Sequence, residues 1–142
     1  MPSTIQNYAL NFDETSDIDL INSFQDSLAS AANYLKTIGW NEKDIWGFEI
    51  QIDKDFDKNL INSDSRNLKN KLTIAQLKLI GFKNKNGSEI VATDKKEGWI
   101  IRPDGEDGPV YVVFDNFLRL LEWNRSLRFA ITVGTFSDKI KI

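Results

Sequence analysis

An α+β chain is what the sequence predicts, on three observations. Apolar residues repeat at helical spacing over residues 24–38 and again over 115–139. Between them the apolar period shortens to two, as in half-buried strands. Turn-forming Asn-Gly, Pro and Gly residues punctuate that middle stretch. Residues 1–40 and 115–142 therefore hold the helices, with residues 41–114 as a β-rich insertion before the final helix; two helices make a thin core, so they pack either on the β unit or on a partner outside this chain.

Taken in order, residues 10–26, "LNFDETSDIDLINSFQD", form an acidic, turn-rich segment that leads into the first long helix. Phe24, Leu28, Ala31, Leu35 and Ile38 alternate four-then-three spacing, which lines up one apolar stripe. Asp26 falls in the first turn, where its charge suits the helix dipole, and Gly39 follows as a stop. "IWGFEIQID" alternates in its later half and reads as a strand. After a polar loop, "DKNLINSDSRN", the segment "TIAQLKLIGF" reads as a short helix ended by Gly81. "GFKNKNGSEIVAT" places Asn-Gly between two flanks able to be strands, the mark of a hairpin. "GWIIRPDGEDGPVYVVFD" supplies two more strands around a turn at residues 103–109, and one continuous helix over 115–139 closes the chain.

The totals narrow the function. A chain of 142 residues, 41% hydrophobic, has the size of one ordinary domain. A net charge of -3 and a pI near 5.0 argue against a nucleic-acid footprint, which needs clustered Lys and Arg. With no cysteine there is no disulfide or thiol chemistry. With no histidine, Ser-His and Cys-His nucleophile pairs and the commonest zinc ligand are excluded together. Acid–base work would fall to carboxylates, Lys or Tyr. No apolar run reaches the length of a membrane helix, and the first ten residues are too polar for a signal peptide.

Asn124 is the awkward residue of the last helix. Leu120 and Leu121 stand one turn before it and Leu127 and Ile131 one and two turns after, which places an amide on the apolar stripe. Burying an amide without partners costs roughly 1–3 kcal/mol, so a partner is expected, either another part of the chain or a ligand. Trp123 and Phe129 beside it, and Tyr34 next to Asn33 on the first helix, combine flat apolar faces with hydrogen-bonding groups. Sugars ask for that combination; core aromatics with a helix-pinning amide would look the same.

Two carboxylate patterns remain. Asn11, Asp13, Thr15, Asp17 and Asp19 alternate as oxygen ligands do in a calcium-binding EF-hand loop, with Asp26 able to supply the late carboxylate. The sixth position, however, is Ser16 and not glycine, and the twelfth is Asn22 and not Glu, so a solvated, helix-capping loop is the competing reading. Glu49 and Glu122 carry no neighbouring motif that marks a catalytic acid, and are expected to be structural or to face solvent.

"MPSTIQNYALNFD", "DSLASAANYLKTIGW" and "GPVYVVFDNFLRLLEWNRSLRFAITVGTFSDKI" resemble, in that order, the C-terminal part of the membrane-bound lytic murein transglycosylase B family; "GFEIQIDKDFD" and "LTIAQLKLIGFKNKNG" fit it more loosely. The resemblance implies a lysozyme-like helical core, here partial, with a small β-rich inserted domain before the final helix. It implies peptidoglycan glycan strands as the partner, cut between N-acetylmuramic acid and N-acetylglucosamine without water. One glutamic acid protonates the glycosidic oxygen while the muramyl 6-hydroxyl closes on C1 to leave a 1,6-anhydro end.

By the same resemblance, that glutamate lies upstream of the "MPS" segment. No catalytic residue is expected in this chain, which alone is expected to be inactive, to be completed by the other half of the core, and to leave parts of its apolar stripes exposed. Tyr34, Trp123, Asn124 and Phe129 match substrate-groove positions, with Trp123 and Phe129 standing where relatives usually carry Tyr. Asn11, Asp13, Thr15, Asp17 and Asp26 match the ligands of a structural Ca2+ site, and no cofactor is implied for the chemistry itself. The implied location is the periplasm or cell envelope. The alternative function is a non-catalytic peptidoglycan-binding module.

Overall fold

A computed structural model describes residues 2–13, 17–52 and 55–140. The fold is α+β, and the chain divides into two compact units, Met1–Lys43 and Asp44–Ile142.

In the first unit a short helix, α1 (Pro2–Tyr8), is followed by the acidic loop and by α2 (Phe24–Thr37). Ser23 caps α2, its Oγ accepting the Asp26 N–H at 3.2 Å. The chain leaving α1 is laid along α2 by polar contacts. Ser30 Oγ accepts the Leu10 N–H at 2.8 Å, and Asn33 Nδ2 donates to the Tyr8 carbonyl at 3.0 Å. The stripe expected on α2 is open at its start, with Phe24 73% and Leu28 54% exposed, while Ala31, Leu35 and Ile38 are half-buried. Open stripes were expected, and α2 has one.

The second unit is built on a six-stranded sheet. Its strands are β1 (Gly47–Gln51), β2 (Ile61–Asn62), β3 (Leu72–Thr73), β4 (Lys83–Asn84), β5 (Glu97–Ile101) and β6 (Val110–Val113), in the order β2-β5-β6-β1-β4 with β3 also paired to β5. The predicted β5–β6 hairpin forms, with Trp99 opposite Val113. β1 runs antiparallel to β6, Gly47 opposite Val113, and β2 runs parallel to β5. Helix α3 (Ile74–Ile80) begins at a Thr73–Gln76 capping box and ends at Gly81, whose φ of 108° only glycine adopts freely. Ile74 and Leu77 of α3 pack with Ile50, Phe82, Ile90, Ile100, Val110, Val112 and Phe114 in the main core. The Asn86-Gly87 turn is present, with the Gly87 N–H on the Asn84 carbonyl at 2.8 Å. Its second limb, however, is not a strand: β4 pairs with β1 instead, so the hairpin expected there is corrected to a turn at the sheet edge.

The last segment differs from expectation in a way that matters. One helix over 115–139 was predicted; two are found, α4 (Asp115–Trp123) and α5 (Leu127–Ile140). Asn124 is extended (φ −142°, ψ 117°), its N–H still closing the last turn of α4 on the Leu120 carbonyl at 3.0 Å. Ser126 restarts the helix, its Oγ accepting the Phe129 N–H at 3.2 Å. Asn and Ser compete for backbone partners and favour helix ends, so "NRS" is a stop followed by a start. Asn124 is therefore exposed and not on a buried stripe. The apolar stripe of this segment is closed around the bend, where Phe117, Leu120, Leu121, Leu127 and Ala130 are all buried, and open towards the end of α5, where Phe136 is 62% and Ile140 58% exposed. Trp46 joins both helices to the sheet, with its ring 6.2 Å from Phe117 and 6.4 Å from Tyr111, and its indole N–H on Asp138 Oδ2 at 2.8 Å.

Candidate functional site

The residues singled out for sugar binding fall in two places. Tyr34, on α2 of the first unit, meets Tyr8 edge-on at 4.9 Å between ring centres and is half-buried. Trp123, Asn124 and Phe129 gather in the second unit at the α4–α5 bend. Trp123 ends α4 and is 45% exposed, Asn124 is exposed in the bend itself, and Phe129 is half-buried in the first turn of α5. A half-exposed indole and an exposed amide thus follow one another at a helix break.

The bend is held from both sides. Ser65 Oγ donates to the Arg125 carbonyl at 2.8 Å, and Arg128 Nε donates to Asp104 Oδ1 at 2.6 Å. Two open clefts flank it. One, of about 170 Å³, lies between Ser63, Pro103, Ser126 and Arg128. The other, of about 220 Å³, lies between Arg66, Leu68, Leu118, Leu121, Glu122 and Arg125, and both share Ser65 as a wall. None of these residues stands out in the sequence as a binding residue. Residues 65–66 sit in a loop legible only as polar, and nothing in spacing connects them to Arg125.

Glu49 and Glu122 are both ion-paired. Glu49 Oε2 receives the Lys85 ammonium at 2.7 Å, and this hydrogen bond holds the Lys85 pKa above its usual value. Glu122 pairs with Arg119, one turn back on α4. Burial, and then the Glu49 charge across the β1–β6 pair, raise the Tyr111 pKa. Both glutamates are thus engaged by cations.

In the acidic loop, Asp26 is buried and both of its oxygens are engaged. Oδ1 accepts the Phe12 N–H at 2.8 Å and Oδ2 the Asp19 N–H at 3.0 Å. Asn11 Oδ1 accepts the Asp13 N–H, and Asp19 accepts from Ile21 and Asn22. Asp13 and Asp17 are exposed, and Thr15 lies outside the described residues. No three acidic side chains among the described residues converge to hold a metal ion.

These hydrogen bonds, the Phe12 N–H first and the Asp19 N–H second, lower the Asp26 pKa from 3.8; the Asn22 N–H does most to lower that of Asp19. Depressed carboxyl values stabilise the fold above the unfolded value, and the contribution is lost as pH falls through the folded ones. Hydrogen-exchange protection of the Phe12 and Asp19 amides is therefore expected to be flat at neutral pH and to collapse only below 3.8; collapse well above that value would refute the Asp26 assignment.

A family model described as the transglycosylase SLT domain matches residues 1–138. Among solved structures, the chain is similar to SltB3 from Pseudomonas aeruginosa in complex with NAG-anhNAM-pentapeptide, at 32% identity and a TM-score of 0.85 over 97% of this chain and 36% of that one. It is similar to the soluble lytic transglycosylase SltB1 from the same organism, at 23% identity and a TM-score of 0.76, over 99% of this chain and 44% of that one. The Escherichia coli lytic transglycosylase Slt35 in complex with bulgecin A gives 24% identity and a TM-score of 0.74, over 97% of this chain and 40% of that one. No curated protein sequence matches. The chain thus spans less than half the length of these solved relatives, and it shares their lysozyme-like α+β fold.

Proposed function

We propose, from the premise that the chain belongs to the transglycosylase SLT domain family, that it is the glycan-holding C-terminal portion of a lytic transglycosylase of the membrane-bound B type. Peptidoglycan strands are the substrate and the periplasm the site of action. What carries this reading is the family match along residues 1–138, joined to the similarity to a relative crystallised with NAG-anhNAM-pentapeptide. Trp123 and Asn124 at the bend, with Phe129 behind them, and Tyr34 on α2 are the residues proposed to face sugar. Trp123 supplies a ring for a pyranose face and Asn124 an amide for its hydroxyls.

The proton donor for the glycosidic oxygen is proposed to come from another part of the core. Glu49 and Glu122 are both committed to cations, the first to Lys85 and the second to Arg119. The exposed apolar side chains of the first unit, Ile5, Phe12, Phe24 and Leu28 among them, are the surface proposed to meet that partner. Among the described residues no helix is long and apolar enough to cross a membrane.

Purified chain mixed with murein sacculi is expected to sediment with them and to release no anhydro-muropeptides. Trp123→Ala and Asn124→Ala should each weaken retention about tenfold, near 1.4 kcal/mol for one stacked ring or one amide pair. Release of anhydro ends would overturn the inactive reading, and failure to sediment would overturn the glycan-holding one.

A further inference from the structure

We infer that the cleft between the loop at Ser65–Arg66 and the α4–α5 bend is a carboxylate-binding subsite for the peptide stem attached to the glycan. The inference rests on the glycan-holding reading above and extends it to the non-sugar part of the substrate. It starts from a charge imbalance. Of the five arginines, Arg119 pairs with Glu122 and Arg128 with Asp104, while Arg102 has no ion pair among the described residues and does not line this cleft. Arg66 and Arg125 have no ion pair among the described residues, are exposed, and face one cleft. Glu122 also lines that cleft, but its carboxylate is engaged by Arg119. Asp64, next in reach along the loop, accepts the Arg66 backbone N–H at 2.9 Å.

The remaining lining decides what kind of anion fits. Leu68, Leu118 and Leu121 give the cleft an apolar side, which strengthens a guanidinium–carboxylate pair and receives methyl groups. A free phosphate would gain nothing from that side; the end of a peptide with small apolar side chains gains from both. At about 220 Å³ the space is below the roughly 300–1,000 Å³ of pockets that swallow whole ligands, so it suits a chain terminus. Location agrees, because Arg125 directly follows Asn124, and a peptide tethered to a sugar held at Trp123–Asn124 has little distance to cover.

The backbone segments that carry the two arginines are held relative to each other. Ser65 Oγ bonds the Arg125 carbonyl, and the loop carrying Ser65 and Arg66 is tied down at Asn62, whose Nδ2 donates to the carbonyls of Lys69 and Ile100 at 3.0 and 2.9 Å. With the two backbones tied to each other, both guanidinium forks are carried on the lining of one cleft, where a carboxylate can meet them bidentately.

The test titrates the full chain with an N-acetylated pentapeptide stem bearing a free C-terminal carboxylate, and with the same peptide amidated at that end. The free acid is expected to bind, with amidation weakening it about tenfold or more. Arg66→Ala and Arg125→Ala should each weaken it about tenfold, and Arg→Lys variants should recover part of the loss. Retention on peptide-stripped glycan strands should be the same in wild type and variants. No binding of the free acid, equal binding of the amide, or undiminished binding by the double alanine variant each overturns the subsite. Failure of the wild-type chain to bind peptide-stripped strands would instead overturn the glycan-holding reading.

Discussion

Gly134→Ala is expected to lower the stability of the second unit by about 2 kcal/mol, against what its position in a helix would suggest. Alanine in a helix interior is favoured over glycine by about 1 kcal/mol, so propensity alone predicts a gain. Packing reverses the sign. A Cβ built on Gly134 would stand 2.4, 2.5 and 2.8 Å from Cδ2, Cε2 and Cγ of Trp46. That indole is rigid, buried, and anchored through its N–H to Asp138 on the next turn of α5. Either α5 lifts away from the sheet or the ring turns and gives up its hydrogen bond. Overpacking of this kind costs about 1–3 kcal/mol, and the bond adds about 1 more. A fall in melting temperature of roughly 8 °C is the expected readout, with a change in indole fluorescence. Thr135→Ala, on the exposed side of the same turn, should change neither. An unchanged or raised melting temperature for Gly134→Ala would show that α5 does not rest on Trp46.

The larger loss is expected at Asn62→Ala, about 3 kcal/mol. Asn62 is one of the buried polar residues of the second unit, and its amide is used at both ends. Oδ1 accepts the Lys69 N–H at 2.6 Å, and Nδ2 reaches the Lys69 and Ile100 carbonyls. Deleting the amide leaves these groups without their partner where water is partly excluded, at about 1–3 kcal/mol for each one that stays buried. Asn62→Asp separates the contributions. Its first oxygen can still accept from Lys69, but its second faces two carbonyl oxygens and is tolerated only when protonated. The Asp variant should therefore regain stability, relative to wild type, as the pH is lowered. A deficit that does not shrink on acidification would count against these carbonyl contacts. Either variant should also free Ser65 from the Arg125 carbonyl and weaken the cleft beside the bend.

Asn62 also shows what is legible in the sequence and what is not. Helical phase kept by Leu120, Leu121, Leu127 and Ile131 points to Asn124 as the amide that holds backbone in place. The phase is real but belongs to two helices, and the break is written in the capping residues Asn124 and Ser126. Asn62 gives no signal, since β2 is two residues long and a period of two needs more than that to be seen. The same limit hides β3 and β4. Elements with a local rule are readable: α2 from its stripe, α3 from Thr73, Gln76 and Gly81, and the β5–β6 hairpin from its Pro- and Gly-rich turn. Of the candidate site, the aromatic and amide residues are readable as types. The pairing of Arg66 with Arg125 is not, because only tertiary folding brings the polar loop to the bend.

The place of β1 in the sheet has a further consequence for how the chain acquires its shape. As the chain is made, β1 is among the first parts of its unit to leave the ribosome, yet it ends up between β4 and β6, with Gly47 opposite Val113. One of its edges can be closed only after most of the unit has been synthesised. Until then a nascent strand with the sequence GFEIQ offers unmet amide and carbonyl groups to any neighbour. Hairpin β5–β6 is closed by a local turn, whereas β1 reaches β6 from far back in the chain. Such late, long-range closure makes for slow folding and for a window in which chaperones have something to hold.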